Sequence, residues 1–246
     1  MTLSSSRSHK VVAPKRWRWV VLVAILSALG LVVYVDSLKV VNAETIAAVN
    51  SVALLAGDAD SRTTPILLFE CTGFLIDDHT VVSAAHCVEE RMSVTVAHGS
   101  LDLCDNSDWQ RTTMRVDRRI PEVDLVFLTS TNPLAPGASA TIAEAAGGKL
   151  VVAGWQQNER TGPVQCQQTR TTLSDCFSDE SLVCSFDHDE HVCGGLSGAA
   201  ALTEDGAVVG VVSASEGCQG GDAYVAPIRN RALGNASEEL QYSARR

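Results

Sequence analysis

Apolar positions in this chain fall into short runs, not helical stripes. Ile66–Phe69, Phe74–Ile76, Val81–Ser83, Ser93–Ala97, Leu125–Thr129, Leu150–Ala153, Ala207–Ser213 and Ala223–Ile228 are rich in Val, Leu and Ile. Clusters of Gly, Asp, Asn and Pro separate them. Runs this short, bounded by turn-forming residues, predict β-strands. No long amphipathic helix competes with them, and many strands at this spacing predict an all-β barrel or sandwich. From Ser130 to Gly148, Pro133, Pro136 and repeated Ala and Gly interrupt the pattern. That stretch reads as a connection between two halves, and no internal sequence repeat relates them.

The N-terminus has a different pattern. Residues 1–18 carry Arg7, Lys10, Lys15, Arg16 and Arg18 and no acid, and Trp19–Val35 carries no charge. A basic stretch before an apolar one predicts an export signal whose basic end stays in the cytoplasm. The apolar run is at the lower limit for spanning a bilayer. Val41-Asn42-Ala43 has the small residues of a cleavage site, whereas the long basic end favours a retained anchor. The expected plan is a basic cytoplasmic segment (1–18), a transmembrane anchor or signal sequence (19–35), a small and polar linker (36–60) and a folded domain (61–246).

Charge and cysteine content narrow the setting. Six of the 19 Lys and Arg and one of the 29 Asp and Glu precede Glu44, which leaves the remainder at −15. Phosphate binding needs a basic face, so no nucleic acid is expected as a partner. All eight cysteines lie between Cys71 and Cys218. An even count in an exported chain predicts disulfides and an extracytoplasmic location, membrane-anchored or secreted.

Three segments carry candidate chemistry. In Val81-Val82-Ser83-Ala84-Ala85-His86-Cys87 a strand ends on small residues and then a histidine beside a cysteine. Small residues allow a tight turn and leave the imidazole at a strand edge with room for a substrate. In Cys193-Gly194-Gly195-Leu196-Ser197-Gly198-Ala199 a serine is flanked by glycines. A serine nucleophile needs a base to take its proton and N–H donors aimed at the oxyanion, here those of Gly195 and Ser197. Asp124 stands against the apolar run Leu125–Leu128, where a carboxylate drawn inward needs a partner such as an imidazole N–H. Glu122 is the nearby competitor.

Over roughly residues 64–228 these segments resemble the chymotrypsin and trypsin-like serine protease family, with His86, Asp124 and Ser197 in the family's chain order. Ser83-Ala84-Ala85-His86-Cys87 with Cys71 ahead of it is the most specific match. Gly154-Trp155, Gly210-Val211-Val212-Ser213 and Tyr224 support it. The resemblance implies two perpendicular six-stranded antiparallel β-barrels, roughly 61–135 and 145–228, with the site in the cleft between them. It implies a serine endopeptidase acting on proteins or peptides: His86 as base and then acid, Asp124 orienting it, Ser197 forming the acyl-enzyme. It also implies the disulfides Cys71–Cys87, Cys176–Cys184 and Cys193–Cys218. Cys104 and Cys166 are left over and pair only by elimination. Cys184, His188, His191 and Cys193 could form a metal site, but the resemblance gives both cysteines partners, so neither metal nor cofactor is expected.

Leu196 departs from the family. Zymogen-type members place an Asp there, which pairs with an amine released by cleavage. Leu196 cannot form that pair, and no Arg or Lys precedes Leu54-Leu55-Ala56-Gly57, a faint likeness of the family's mature N-terminus. The expectation is an enzyme active as made. The competing readings are a catalytically silent fold that binds a partner through the same cleft, and a disulfide-rich surface domain. Substrate binding is assigned by resemblance to His191, Ser213 and Asp222, with Val192 and Ser215 beside them. Asp222 favours basic side chains at the cleavage position, unless it pairs with His191. Asn235-Ala236-Ser237 matches a glycosylation acceptor.

Overall fold

In the computed structural model the described residues are 50–56, 63–105, 107–134, 140–144, 148–157, 163–178, 182–186, 192–215 and 222–228. They form twelve strands and three single-turn 3-10 helices. The first six strands are β1 (Ser51–Leu55), β2 (Phe69–Leu75), β3 (Thr80–Ala84), β4 (Ser93–His98), β5 (Gln110–Ile120) and β6 (Leu125–Thr129). They close into an antiparallel barrel in the order β1-β2-β3-β6-β5-β4. The others are β7 (Gly148–Gly154), β8 (Thr169–Ser178), β9 (Leu182–Phe186), β10 (Ala200–Leu202), β11 (Val208–Ser215) and β12 (Asp222–Pro227). They close a second antiparallel barrel with the same cyclic connectivity. The two barrels thus repeat a strand order that no sequence repeat announces.

Strands in a barrel alternate between its interior and its outer face. In β6, Val126 and Leu128 join the core of the first barrel, while Leu125 and Phe127 face outward. Those outward residues are still buried. With Phe74 and Val82 they join Ala153, Ala200, Leu202, Val208, Val211, Ala226 and Ile228 of the second half in one apolar cluster. Burial on both faces explains why β6 reads as a continuous apolar run. A second contact between the halves joins Ala53, Leu55 and Trp109 to Trp155, whose indole donates to the Leu101 carbonyl at 3.3 Å. Ser51 Oγ donates to the Ala153 carbonyl at 3.0 Å, tying β1 to β7.

Two expectations are corrected. The stretch 36–60 is not all linker, because Ser51–Leu55 is a fully buried barrel strand paired with β2 and β4. Leu54 and Leu55 therefore lie inside a sheet. The run Ile66–Phe69 is mostly a 3-10 turn over Pro65–Leu67, with a strand starting only at Phe69. Pro65 presets the turn and has no N–H for a ladder.

Disulfides join Cys71–Cys87, Cys104–Cys166 and Cys176–Cys184. The second links the segment after β4 to the segment before β8, so it spans the two halves. Cys193 is also disulfide-bonded. Its expected partner Cys218 lies outside the described residues, as do 1–49, including the predicted anchor. Among the described residues no helix is long and apolar enough to cross a membrane.

Candidate active site

β3 ends in Ala84, and a 3-10 turn over Ala85–Cys87 follows. Ala84 and Ala85 are buried, while His86 is exposed on the turn. The Cys71–Cys87 bond ties this turn to β2 across a loop with a sequence separation of 16. Closing a loop of that length contributes about 3 kcal/mol.

Asp124 caps the 3-10 turn Pro121–Val123 with left-handed backbone angles, φ 54° and ψ 41°. Asp is among the few residues that adopt this region readily. The conformation delivers its carboxylate to the histidine. Oδ1 accepts the His86 backbone N–H at 2.9 Å, and Oδ2 faces His86 Nδ1 at 2.8 Å. The Asp124 carbonyl also accepts the Ala85 N–H at 3.0 Å. Ser213 Oγ, from β11 in the other barrel, donates to Oδ2. Burial opposes the charge on Asp124, but the hydrogen bonds from His86 and Ser213 outweigh it and hold the carboxyl below its usual range. The hydrogen bond to Asp124 raises His86 above 6.5 against burial, and the carboxylate's charge adds to the rise. A carboxylate on Nδ1 selects the tautomer with Nε2 unprotonated.

Ser197 approaches from the second barrel. Cys87 Sγ lies 3.7 Å from His86 Nε2 and 3.8 Å from the Ser197 carbonyl, so both flank one sulfur. Among the described residues Ser197 Oγ has no hydrogen-bond partner. Bonds of this kind are often long before substrate binds and tighten in the complex.

The segment 193–198 is anchored at nearly every peptide. Gln156 Oε1 accepts the Cys193 N–H at 3.1 Å, and the Gln157 N–H donates to the Gly194 carbonyl at 2.9 Å. Gly195 has φ +101°, and a Cβ there would meet Phe69 Cε1 at 2.7 Å and the Trp155 carbonyl at 2.8 Å. Only glycine fits that position. Among the described residues the N–H groups of Gly195 and Ser197 donate to no backbone acceptor, which leaves both open to a ligand oxygen.

Leu196 is fully buried in the core of the second barrel, clustered with Leu150, Val152, Val192 and Val212. A Cβ on Gly154 would meet Leu196 Cδ2 at 2.9 Å, so the side chain packs directly on that backbone. Burying a leucine contributes about 1.5–3 kcal/mol, here spent on holding the loop. Leu196→Asp is therefore expected to lower stability by about 3–5 kcal/mol, because it places a carboxylate among apolar side chains. Thermal unfolding would show a melting temperature about 10 °C lower, with Leu196→Met nearly unchanged. An unaltered melting temperature would reveal a cation reaching that core.

Of the remaining expected site residues, Ser213 does not simply line a pocket wall, since its hydroxyl is committed to Asp124. Ser215 Oγ donates to the Val192 carbonyl at 2.8 Å. Asp222 opens β12 opposite Ser185. His191 and His188 lie outside the described residues. A cavity of about 660 Å³ opens beside Asp124, lined by Pro121, Glu122, Ser213, Ala214 and Tyr224 among others. Sequence reading missed Thr72 and Gln156, which hold the serine loop; neither stands in a motif that would have drawn notice.

Comparison with known proteins gives the fold and the family. Trypsin theta of Drosophila melanogaster is 30% identical over 178 residues, covering 60% of this chain and 67% of that protein. Human heparin binding protein shares the fold, with a TM-score of 0.56 at 20% identity over 75% of this chain and 87% of that one. An atomic-resolution structure of HBP gives 0.58 at 19% identity over 82% and 93%. The model of the trypsin family matches residues 44–231, and the chain belongs to that family.

Proposed function

We propose that this chain is a serine endopeptidase, with His86 as general base, Asp124 as its orienting acid and Ser197 as nucleophile. The observation that carries the reading is the His86–Asp124 pair, whose free imidazole nitrogen and Ser197 flank the same Cys87 sulfur. In this mechanism Nε2 takes the Ser197 proton as Oγ attacks a peptide carbonyl. The N–H groups of Gly195 and Ser197 receive the oxyanion. His86 then returns the proton to the leaving amine, and water releases the acyl group by the same route. The loop is shaped as made, because Leu196 and Gln156 anchor it without an ion pair.

Family membership points to protein or peptide substrates, and the disulfides fit an extracytoplasmic setting. We take 19–35 as the element that exports or anchors the domain. Asp222 is the group proposed to favour basic side chains at the cleavage position.

The second reading is a silent binding module, favoured by the missing bond between Ser197 Oγ and His86. Heparin, named for the structural neighbour, is a poor candidate ligand for a chain of net charge −10. A fluorophosphonate probe separates the readings. The full chain, folded and oxidised, is expected to label at one residue, mapped to Ser197 by peptide mass. Folded protein that takes up no probe would favour the binding module.

A further inference from the structure

Thr72 belongs to β2 of the first barrel, yet its polar atoms serve the loop of the second. Its hydroxyl donates to the Gly195 carbonyl at 2.9 Å and accepts the Trp155 N–H at 3.3 Å. Its own N–H donates to the Ser197 carbonyl at 3.0 Å, and its carbonyl accepts Ser83 Oγ at 2.9 Å. The residue is fully buried. A hydroxyl has one proton, and here it is given to Gly195 while Trp155 fills the acceptor side, so the rotor is fixed. One residue therefore grips the carbonyls of Gly195 and Ser197, the two residues whose N–H groups are left open. A Cβ on Gly198 would lie 2.1 Å from the Thr72 carbonyl, so the two backbones touch and leave little room for drift.

We propose that Thr72 is a positioning residue for the oxyanion donors, its hydroxyl holding Gly195 in register from the opposite barrel. The proposal rests on the endopeptidase reading for its effect on rate, but not for its effect on the loop. The held carbonyls fix the Gly195–Leu196 and Ser197–Gly198 peptide planes, the ones that follow each donor residue. With the Gln157 N–H on the Gly194 carbonyl, the Gly195 N–H is directed away from the protein's own acceptors. Releasing the Gly195 carbonyl frees the Gly195–Leu196 peptide, so the backbone that joins the two donors can shift, and misplacement by about 1 Å can lower a rate about a hundredfold.

The test compares Thr72→Val, which keeps the shape and loses the hydroxyl, with Thr72→Ser, which keeps the hydroxyl, in the full chain. Thr72→Val is expected to lower kcat about tenfold to a hundredfold on a peptide substrate, with KM within about twofold. Affinity for a peptide boronic acid, which mimics the tetrahedral state, should fall with kcat/KM. Thr72→Ser should restore kcat to within about threefold of wild type. Segment-resolved hydrogen exchange over 193–198 should quicken in Thr72→Val alone. An unchanged kcat in Thr72→Val, or a Ser variant as impaired as the Val variant, overturns the proposal. If the wild type neither labels nor turns over, the endopeptidase reading fails, and exchange alone then decides the clamp. Unchanged exchange in Thr72→Val overturns it.

Discussion

Ser197→Ala is expected to lower kcat about a millionfold while KM stays within a few-fold. The size follows from the chemistry removed. Without Oγ no acyl-enzyme forms, and a water attacking directly has neither the hydroxyl's position nor a proton path through His86. What survives is the binding of substrate and the N–H groups of Gly195 and Ser197. On the proposed mechanism the three side chains act as a unit, so adding His86→Ala should cost little more, within about tenfold of the single variant. Active-site titration and steady-state kinetics on one peptide substrate measure both. A single variant retaining more than about one per cent of the rate would mean another nucleophile.

Asp124→Asn should cost about four powers of ten in kcat. Its amide can donate to Nδ1, which selects the tautomer with the proton on Nε2 and leaves His86 unable to accept from Ser197. The pH profile carries a second signature. Asp124 raises His86 above 6.5, and the base works only when neutral. On the proposed mechanism the acid limb of kcat/KM in the wild type is therefore expected above the ordinary imidazole value, with activity gained as pH rises through it. Removing the carboxylate leaves burial, which pushes the other way, so the limb of the residual activity should move down. A limb that stays in place would assign it to another group.

Strand reading succeeded for β6, buried on both faces, and failed for β5, which is not. Leu125–Thr129 matched β6 because both faces are apolar. β5 was missed because Met114 is its one fully buried side chain and its outer face carries arginines. Arg118 lies over the Phe127 ring at 5.0 Å, covering apolar surface with a charged residue that reads as solvated. β1 was missed although Ser51–Leu55 is buried throughout, because it stands among small residues that read together as a linker. Around the site, His86 and Asp124 stood out through their flanking residues. The bond from Ser213 to Asp124 and the grip of Thr72 on Gly195 depend on how the barrels meet, and contacts across a junction leave no periodicity along the chain.

The apolar cluster shared by Phe74, Phe127, Ala200 and Val211 has a consequence for the molecule's fate in company. His86 and Asp124 ride on one barrel, Ser197 and Ser213 on the other, and the cluster that joins them belongs to neither. A copy whose halves have begun to part has therefore lost its cutting apparatus while its strands become cleavable. Under the proposed activity, such a copy is prey for its intact neighbours and never predator.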